Sequence, residues 1–451
     1  MSQPLDFINL RGLTTVACED CGGHYRVTVK GTEEACLCPE CSGLFFHKHG
    51  TQTQSYMDTP MHGKRVLLEV ARQRYKCQDC HKTFFAPLSC IDGRRQATKR
   101  LITYIEQRCM QETFVALARE VGVDEKTIRH IFDDYDARMK QEVKFKTPEI
   151  LGIDEVKIIG DYRAMLTNID KLSVFDLISS RKQNRLIEYF DQLPDKQNVH
   201  TLVMDMWNPY RLVSQKMFPG RMIVVDKFHV VKMANVGFDR ARIRMKDALH
   251  RGTRVRLKKE RFTLLRRERN LTEVQSAKAE KWLNQFPQLR VAYEAKERIC
   301  NIYNQPTRAA AEKEASLWSS TLAPEIEKDF RDLRVALHNW NREIFNYYEQ
   351  PVTNAYTEAV NGIAGLINRI GRGYSFEVLR ARLLYNKQAI DDASTTIRKM
   401  GRRQKPTSAS EYSYFTIGRS ASFGESYEEE RTNYGAYLPT LINLLEDGYF
   451  S

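Results

Sequence analysis

The chain has 451 residues, of which 42% are hydrophobic and 28% charged, a composition typical of globular proteins with roughly two to four domains. No apolar run approaches the ~20 residues needed to cross a bilayer, and the first residues lack the basic and then apolar order of a secretory signal. We therefore expect a cytoplasmic protein without a membrane partner. The formal net charge of +13 favours a polyanionic partner such as nucleic acid, although charge alone does not identify it.

Residues 1–92 predict a small β-rich module that binds zinc. Short β-favouring runs at 24–29 and 65–70 are separated by turn residues. Six of the ten cysteines form three Cys-x-x-Cys pairs, a spacing that suits thiolate ligation better than disulfides in a large cytosolic chain. The preferred ligands of one tetrahedral Zn²⁺ are Cys38, Cys41, Cys77 and Cys80.

The sequence between these two pairs supports that choice, because residues 42–76 can form the hairpins that bring distant pairs together. Cys18 and Cys21 flank a predicted turn and are alternative ligands. Buried free thiols are a further alternative for either set. Cys36 is an additional thiol, so the number of zinc ions stays open.

Residues 93–145 predict a helix-turn-helix DNA-binding domain. Apolar residues recur at helical spacing, and Gly122 marks a tight turn between two helices. Asp124 is the predicted N-cap of the second helix. A helical hairpin that only packs on a neighbour is the alternative. The residues that could face a DNA major groove are Lys126, Thr127, Arg129 and His130.

Residues 146–235 alternate strand-like and helical segments, as in a mixed α/β domain. The strand-like runs are 150–153, 173–178, 202–204 and 222–225. Asp154 follows the first run and Asp205 the third, so the two carboxylates would lie at neighbouring strand ends. Paired carboxylates can hold the divalent ions used in phosphodiester chemistry. A third carboxylate is normally required, and spacing alone does not select it.

Residues 230–349 are helical in pattern and highly charged. A basic series from Arg240 to Arg269 has a density suited to sequence-independent contacts with DNA phosphates, with a solvated helix face as the alternative. Its candidate DNA-binding residues are Arg251, Arg254, Arg256, Lys258 and Lys259. Residues 401–451 are interpreted as a C-terminal tail of undetermined role.

Five ordered blocks make the chain similar to a known family. They are LGIDE at 151–155, VMDMWNPY at 203–210, VDKFHV at 225–230, TNAYTEAVNG at 353–362 and RGYSFEVLR at 372–380. With the N-terminal cysteine motifs and the helix-turn-helix, they resemble the ISL3 family of bacterial insertion-sequence transposases over most of residues 36–390. The upstream cysteines and roughly the last sixty residues lie outside this pattern.

The resemblance implies a multidomain α+β protein. A zinc-binding β module and a helix-turn-helix would precede an RNase H-like mixed α/β catalytic core. The first part of the core would be residues 146–235 and its last part, with the final catalytic helix, residues 351–400. A helical insertion at 236–350 would separate the two parts.

The resemblance also assigns roles to single residues. Glu358 would complete a DDE triad with Asp154 and Asp205. Asp226 and His229 match an Asp-x-x-His element that supports the active site or the bound DNA from beside the catalytic carboxylates, with a helix cap and a structural histidine as the alternatives. Trp207, also beside the carboxylates, would stack on a DNA base or pack beside the site.

The function implied is that of a DNA transposase, which binds the terminal inverted repeats of an insertion sequence and catalyses DNA strand cleavage and strand transfer. Its cofactors would be Zn²⁺ in the N-terminal module and Mg²⁺ or Mn²⁺ at the triad. Its partners would be double-stranded DNA, as repeats and as target, and a second copy in a homodimeric synaptic complex associated with the nucleoid. A DNA-binding regulator and a nuclease of the same architecture are the alternatives, although the intact triad counts against a regulator.

Overall fold

The structure, a computed structural model, describes residues 7–246 and 249–386. The chain divides into two compact units, the first within Met1–Lys146 and Asn368–Lys387 and the second within Thr147–Ile367. The predicted tail at 401–451 lies outside the described residues. The predicted multidomain α+β organisation is confirmed, whereas the domain boundaries placed at 92, 145, 235, 350 and 400 stay predictions.

The first unit begins with a five-stranded sheet. Its strands are β1 (Leu13–Asp20), β2 (His24–Gly31), β3 (Phe46–Met61), β4 (Lys64–Cys77) and β5 (Thr83–Phe85). Strand β4 lies between β2 and β3 and also pairs with β5. Val66, Leu68 and Val70 of β4 alternate with less buried residues, as expected for a strand with one face on a core.

Three helices follow the sheet: α1 (Lys99–Arg108), α2 (Phe114–Val121) and α3 (Glu125–Glu142). Thr98 and Thr113 cap the first two through their side-chain oxygens. Gly122 ends α2 with a φ of 79°, a left-handed conformation that glycine adopts at little cost. The Asp124 side chain accepts a hydrogen bond from the Thr127 amide, so the predicted cap of α3 is confirmed.

The second unit contains a second five-stranded sheet. Its strands are β6 (Ile150–Ile158), β7 (Asp161–Asn168), β8 (Ser173–Ile178), β9 (Thr201–Met204) and β10 (Met222–Val225), in the order β10-β9-β6-β7-β8. Strands β6, β7 and β8 are antiparallel, and β9 and β10 run parallel to β6. Helices α4 (Gln183–Asp191) and α5 (Asn208–Met217) precede β9 and β10. This is the predicted RNase H-like arrangement.

A helical region follows β10. Its helices are α6 (Lys227–Lys246), α7 (Arg251–Lys259), α8 (Arg261–Leu265), α9 (Glu273–Gln285), α10 (Pro287–Cys300), α11 (Arg308–Ser320), α12 (Pro324–Asn339) and α13 (Asn341–Phe345). Phe238, Trp318 and Phe330 form part of its buried core. Gly237 allows α12 to approach α6, because a Cβ there would lie 2.6 Å from the Phe330 ring. The chain then forms α14 (Ala355–Gly371) and α15 (Phe376–Tyr385).

Helix α15 packs against α1 and α2 within the first unit. Arg382 of this helix is 2% exposed, and its guanidinium donates hydrogen bonds to the carbonyls of Cys109 and Glu112. The same group lies 4.3 Å from the centre of the Tyr374 ring and 5.4 Å from that of Phe114. These carbonyls belong to the turn between α1 and α2, where helix ends leave acceptors without helical partners. A residue far along the chain therefore completes the helix-turn-helix.

We predict that Arg382→Ala destabilises the first unit by about 3 kcal/mol, because two buried carbonyls lose their donor. Hydrogen exchange followed by mass spectrometry should show faster exchange in α1, α2 and α3. Tryptophan fluorescence should show an unchanged unfolding midpoint in urea, since all four tryptophans (Trp207, Trp282, Trp318 and Trp340) lie in the second unit. Arg119→Ala, which removes an exposed arginine of α2, is the control and should leave exchange unchanged. Equal protection of α1 in wild type and Arg382→Ala would contradict the prediction.

Candidate metal centres and DNA-binding surfaces

The four preferred cysteines come together at one end of the first sheet. One sulfur atom from each of Cys38, Cys41, Cys77 and Cys80 lies within 4.8 Å of the others. The closest pairs are Cys38–Cys80 at 3.7 Å and Cys41–Cys77 at 3.6 Å. Four thiolates at this spacing match tetrahedral zinc.

Two similar turns position these thiols. In the first, the Cys38 amide donates to the Gly43 carbonyl at 2.9 Å, and in the second the Cys77 amide donates to the Lys82 carbonyl at 2.9 Å. Burial opposes ionisation of Cys38, but hydrogen bonds from backbone amides outweigh it and lower its pKa to about 7. The first turn therefore favours a thiolate at Cys38, the form that binds metal. Neighbouring thiols and burial raise the pKa of Cys41 to about 12 and also raise the pKa of Cys80, in spite of backbone hydrogen bonds to both.

The remaining upstream cysteines do not join this cluster. Cys18 is exposed on β1, and Cys21 lies in the turn after that strand. Cys36 is exposed, two residues before the turn that contains Cys38 and Cys41. Among the described residues, the groups spaced to hold a metal are the four-cysteine cluster and one further group around Glu358.

The group around Glu358 lies next to three aspartates that the strands of the second sheet hold at the same level. Gly152 of β6 pairs with Val203 of β9, and Asp154 and Asp205 each follow two residues later. The last residue of β10 pairs with the last residue of β9, and Asp226 directly follows that pair. The parallel register therefore places three aspartates side by side, two of which the sequence predicted as neighbours.

Glu358 is placed by the first turn of α14, which contacts the sheet through buried polar groups. Asn354 donates its Nδ2 to a main-chain carbonyl of β6 at 3.1 Å. The hydroxyls of Thr357 and Thr167 lie 2.6 Å apart. Gly152 permits this approach, because a Cβ there would lie 2.6 Å from Asn354 Oδ1 and 2.7 Å from Thr357 Oγ1.

Asp154, His229 and Glu358 each offer one ligand atom, and these atoms lie within 4.8 Å of one another. His229 Nε2 is 3.7 Å from Glu358 Oε1. Asn361, one turn after Glu358, donates to Asp154 Oδ2 at 2.9 Å. Asp205 is not part of this three-residue group, although it lies at the same level of the sheet. His229 thus lies close enough to the carboxylates of Asp154 and Glu358 to bind the same metal ion.

Burial raises the pKa of all four acidic groups here. For Asp154 the pKa lies well above its usual value, with the charge of Glu358 as the next cause. Burial raises the pKa of Asp205 to about 6, although the nearby His229 opposes the shift. Burial also raises the pKa of Glu358 and of Asp226. A cation among these groups would favour their ionised forms.

Four buried atoms of the residues described above have no hydrogen-bond partner within the described part of the chain: Asp205 Oδ1, Asp226 Oδ2, His229 Nε2 and Asn361 Oδ1. Buried polar atoms are normally paired, so four together call for a ligand. Carboxylate oxygens are the preferred ligands of Mg²⁺, and an imidazole nitrogen beside them also suits Mn²⁺. The residues present therefore fit a divalent cation.

Sequence reasoning missed the polar residues that hold this arrangement together. Asn354, Thr357 and Asn361 recur at three- and four-residue spacing around Glu358, so they share one face of α14. Polar residues at that spacing on an otherwise apolar helix are a signal that the sequence does contain. Asp226 also caps α6, since its Oδ1 accepts from the Phe228 amide at 3.3 Å.

Trp207 lies directly before α5, beside Asp205. The Arg181 guanidinium carbon is 4.6 Å from the centre of its ring, and the Tyr210 ring contacts it edge-on at 4.6 Å. Arg181 also pairs with Glu155 at 2.7 Å. These contacts favour the interpretation of Trp207 as an aromatic group packed beside the site.

The four predicted DNA-reading residues lie at the start of α3, and they differ in exposure and in their contacts. Lys126 and His130 are exposed. Thr127 donates to Asp124, and Arg129 pairs with Glu125 at 2.9 Å. A cleft of about 810 Å³, bounded by the β3–β4 hairpin, is lined in part by Thr127 and His130.

The basic series divides into two groups. Arg240 pairs with Asp332 at 2.7 Å, Arg244 with Asp329 at 2.5 Å and Arg267 with Glu297 at 2.9 Å, so these cations stabilise the helical region. The five candidate DNA-binding residues of α7 are all exposed: Arg251, Arg254, Arg256, Lys258 and Lys259. The exposure of these five residues is compatible with contacts to DNA phosphates and with a solvated helix face, so their role in DNA binding stays a prediction.

None of the helices described here is both long enough and apolar enough to span a membrane.

Comparisons with known proteins agree with this architecture. Residues 151–383, slightly more than half of the chain, match the ISL3 family model described as a transposase. Residues 34–80 match the zinc-finger of transposases IS204, IS1001, IS1096 and IS1165, and residues 86–136 match the helix-turn-helix domain of transposase family ISL3. The chain belongs to the ISL3 family of transposases. Transposases are enzymes that act on DNA. The matched zinc-finger region of this chain, with its four-cysteine cluster, supports Zn²⁺ as a cofactor.

A curated relative is similar over most of both chains. It is the transposase for insertion sequence element IS1001 from Bordetella parapertussis, 24% identical over 366 residues. The alignment covers 79% of this chain and 89% of that protein.

We predict that Cys77→Ser loses its zinc, because Cys77 is a buried member of the four-thiol cluster. Metal content measured by mass spectrometry should fall by about one Zn²⁺ per chain, and the protein should unfold at a lower temperature. Cys18→Ser, at an exposed thiol outside the cluster, should keep its zinc. Zinc loss from Cys18→Ser with retention in Cys77→Ser would reverse the ligand assignment.

Proposed function

We propose that the protein binds the terminal inverted repeats of an insertion sequence and catalyses metal-dependent cleavage and transfer of DNA strands. The observation that carries this proposal is that ligand atoms of Asp154, His229 and Glu358 lie within 4.8 Å of one another. Asp205 lies at the same level of the sheet as Asp154, and its buried Oδ1 has no hydrogen-bond partner among the described residues. Such a group is costly to bury unless cations bind it. Family membership supports the same chemistry.

Asp154, Asp205 and Glu358 would hold Mg²⁺ or Mn²⁺, and His229 is placed to add a nitrogen ligand or to orient Glu358. Bound divalent ions supply charge stabilisation for the attacking and leaving oxygens of an in-line displacement at phosphorus. Asn361 holds the orientation of Asp154 through its hydrogen bond. No side chain needs to form a covalent link to DNA in this mechanism, because the nucleophile is water or a DNA hydroxyl.

The other residues act as supports. Asp226 caps α6 and thereby fixes the first turn, which carries His229. Trp207, two residues after Asp205, packs against the Arg181 guanidinium. These contacts restrict the carboxylates to one geometry, which metal-dependent displacement requires.

DNA recognition would be divided between the two units. The start of α3, with Lys126 and His130 exposed, would read the inverted repeat together with the zinc ribbon. The exposed cations of α7 would contact phosphates of repeat or target DNA. Strand transfer needs two element ends in one complex, so we propose a homodimer on DNA, in the bacterial cytoplasm and associated with the nucleoid.

We predict that Glu358→Gln abolishes DNA cleavage and retains DNA binding, because it removes a metal-ligand charge and preserves the size of the side chain. The assay uses a labelled fragment with the element ends and Mg²⁺, and follows nicked and joined products on gels. Glu325→Gln, the same change at an exposed position of α12, is the control and should cleave like wild type.

Each outcome of this assay has a separate meaning. Cleavage that survives Glu358→Gln would show that another residue is the third ligand. Cleavage without joined products would make the protein a nuclease. Binding without cleavage by wild type would make it a regulator.

We also predict that Lys258→Ala combined with Lys259→Ala weakens DNA binding equally for repeat and unrelated sequences, because these exposed cations would contact phosphates. The slope of log affinity against log salt concentration should fall by about two. Lys216→Ala with Lys313→Ala removes two exposed charges elsewhere and is the control. A loss confined to the repeat sequence would contradict a backbone role.

A further inference from the structure

A small cleft adjoins the carboxylate site, and Trp207 is not among the residues that line it. It has a volume of about 310 Å³ and lies between α6 and α12. Asp205 and His229 form the end nearest the site. Its size is at the lower limit for small-molecule sites, which suits a single nucleotide better than a duplex.

The cleft combines an apolar floor with a cation. Met206, Met233 and Val236 line it, and both methionines pack on the buried core of the helical region. Val236 is 43% exposed, so the floor is open to solvent. Lys232, one turn after His229, is exposed and forms no ion pair within the described residues. Lys232 lines the cleft together with Asp205 and His229, so it lies near the carboxylate site.

At the far end of the cleft, away from Asp205 and His229, the cation is already paired with an acidic side chain. Arg240 and Asp332, which line that end, form an ion pair with each other at 2.7 Å. Lys232 is therefore the cation of the cleft that is available to an anionic ligand. An apolar surface beside one available cation matches a base and its phosphate.

Trp207 is less suited to this task. Arg181 already lies over its indole ring, and Tyr210 contacts the ring edge-on. A base that stacked there would have to displace the guanidinium, which is also paired with Glu155. The open apolar surface next to Asp205 is the one formed by the methionines and Val236.

We propose that this cleft is a nucleotide subsite: it accepts an unstacked base next to the cut phosphodiester on Met206, Met233 and Val236, while Lys232 binds the adjoining phosphate. The inference rests on the proposed function, since it names where one nucleotide of the DNA substrate lies. Apolar side chains and a cation are the groups that hold bases taken out of a helix.

The test uses the full chain and a duplex that carries the element end, with 2-aminopurine at each nucleotide beside the cut in turn. Glu358→Gln is the background, so that the DNA stays uncut. Fluorescence should rise several-fold on binding for one of the two positions, because unstacked 2-aminopurine is brighter, and should stay constant for a probe in the middle of the repeat. Val236→Phe, which fills the cleft, should remove this rise.

The same substitution in the otherwise wild-type chain should lower kcat for cleavage about tenfold and change KM little. Val335→Phe, at an exposed position of α12 outside the cleft, is the matched control and should cleave normally. Lys232→Gln should weaken the rise without removing it.

The outcomes separate this inference from the proposed function. If the wild type cleaves and joins DNA but neither position brightens, the subsite is wrong and the transposase assignment stands. Brightening that persists in Val236→Phe would also overturn the subsite. If the wild type binds the element end without cleaving it, the proposed function fails, and the subsite fails with it.

Discussion

The burial of several acidic side chains in one place is the constraint on which the second unit depends. Asp154, Asp205, Asp226 and Glu358 lose hydration, which raises the pKa of each, and neighbouring carboxylates raise the pKa of all but Asp226 further. Their proximity therefore costs free energy that the surrounding packing must offset. Function at such a site requires that the scaffold resist relaxation, and the β-sheet and α14 provide the necessary rigidity.

The scaffold meets this requirement by combining local and distant segments. The parallel register of β6, β9 and β10 aligns Asp154, Asp205 and Asp226, and this alignment depends on no element outside the sheet. Glu358 arrives from beyond more than a hundred residues of helical structure, and it depends on the polar contacts of Asn354 and Thr357 with the sheet. The helical region is thus an insertion between parts of one site, and its own core keeps it folded.

The separation along the chain between a residue and its contacts decides whether the sequence alone could predict its place in the structure. Strand runs, the cap of α3 and the neighbouring positions of Asp154 and Asp205 follow from local patterns, and the structure has each of them. Glu358 needed a family resemblance, because its neighbours in the site, from Asp154 to His229, lie about 130 to 200 residues away in the sequence. The ion pairs of Arg240 and Arg244 with α12, and the burial of Arg382, were not predicted for the same reason: the pattern around each residue does not contain its partner.

The order of elements along the chain has a consequence for synthesis on the ribosome. The second unit needs α14 for its third carboxylate, and the first unit needs α15 for Arg382. Domains generally fold as units while the chain emerges from its N-terminus. Here the second unit lacks Glu358 until α14 has been made, and the turn between α1 and α2 lacks its Arg382 donor until α15 has been made, so the two units are completed almost together. A chain that ends before residue 355 therefore lacks both Glu358 and Arg382.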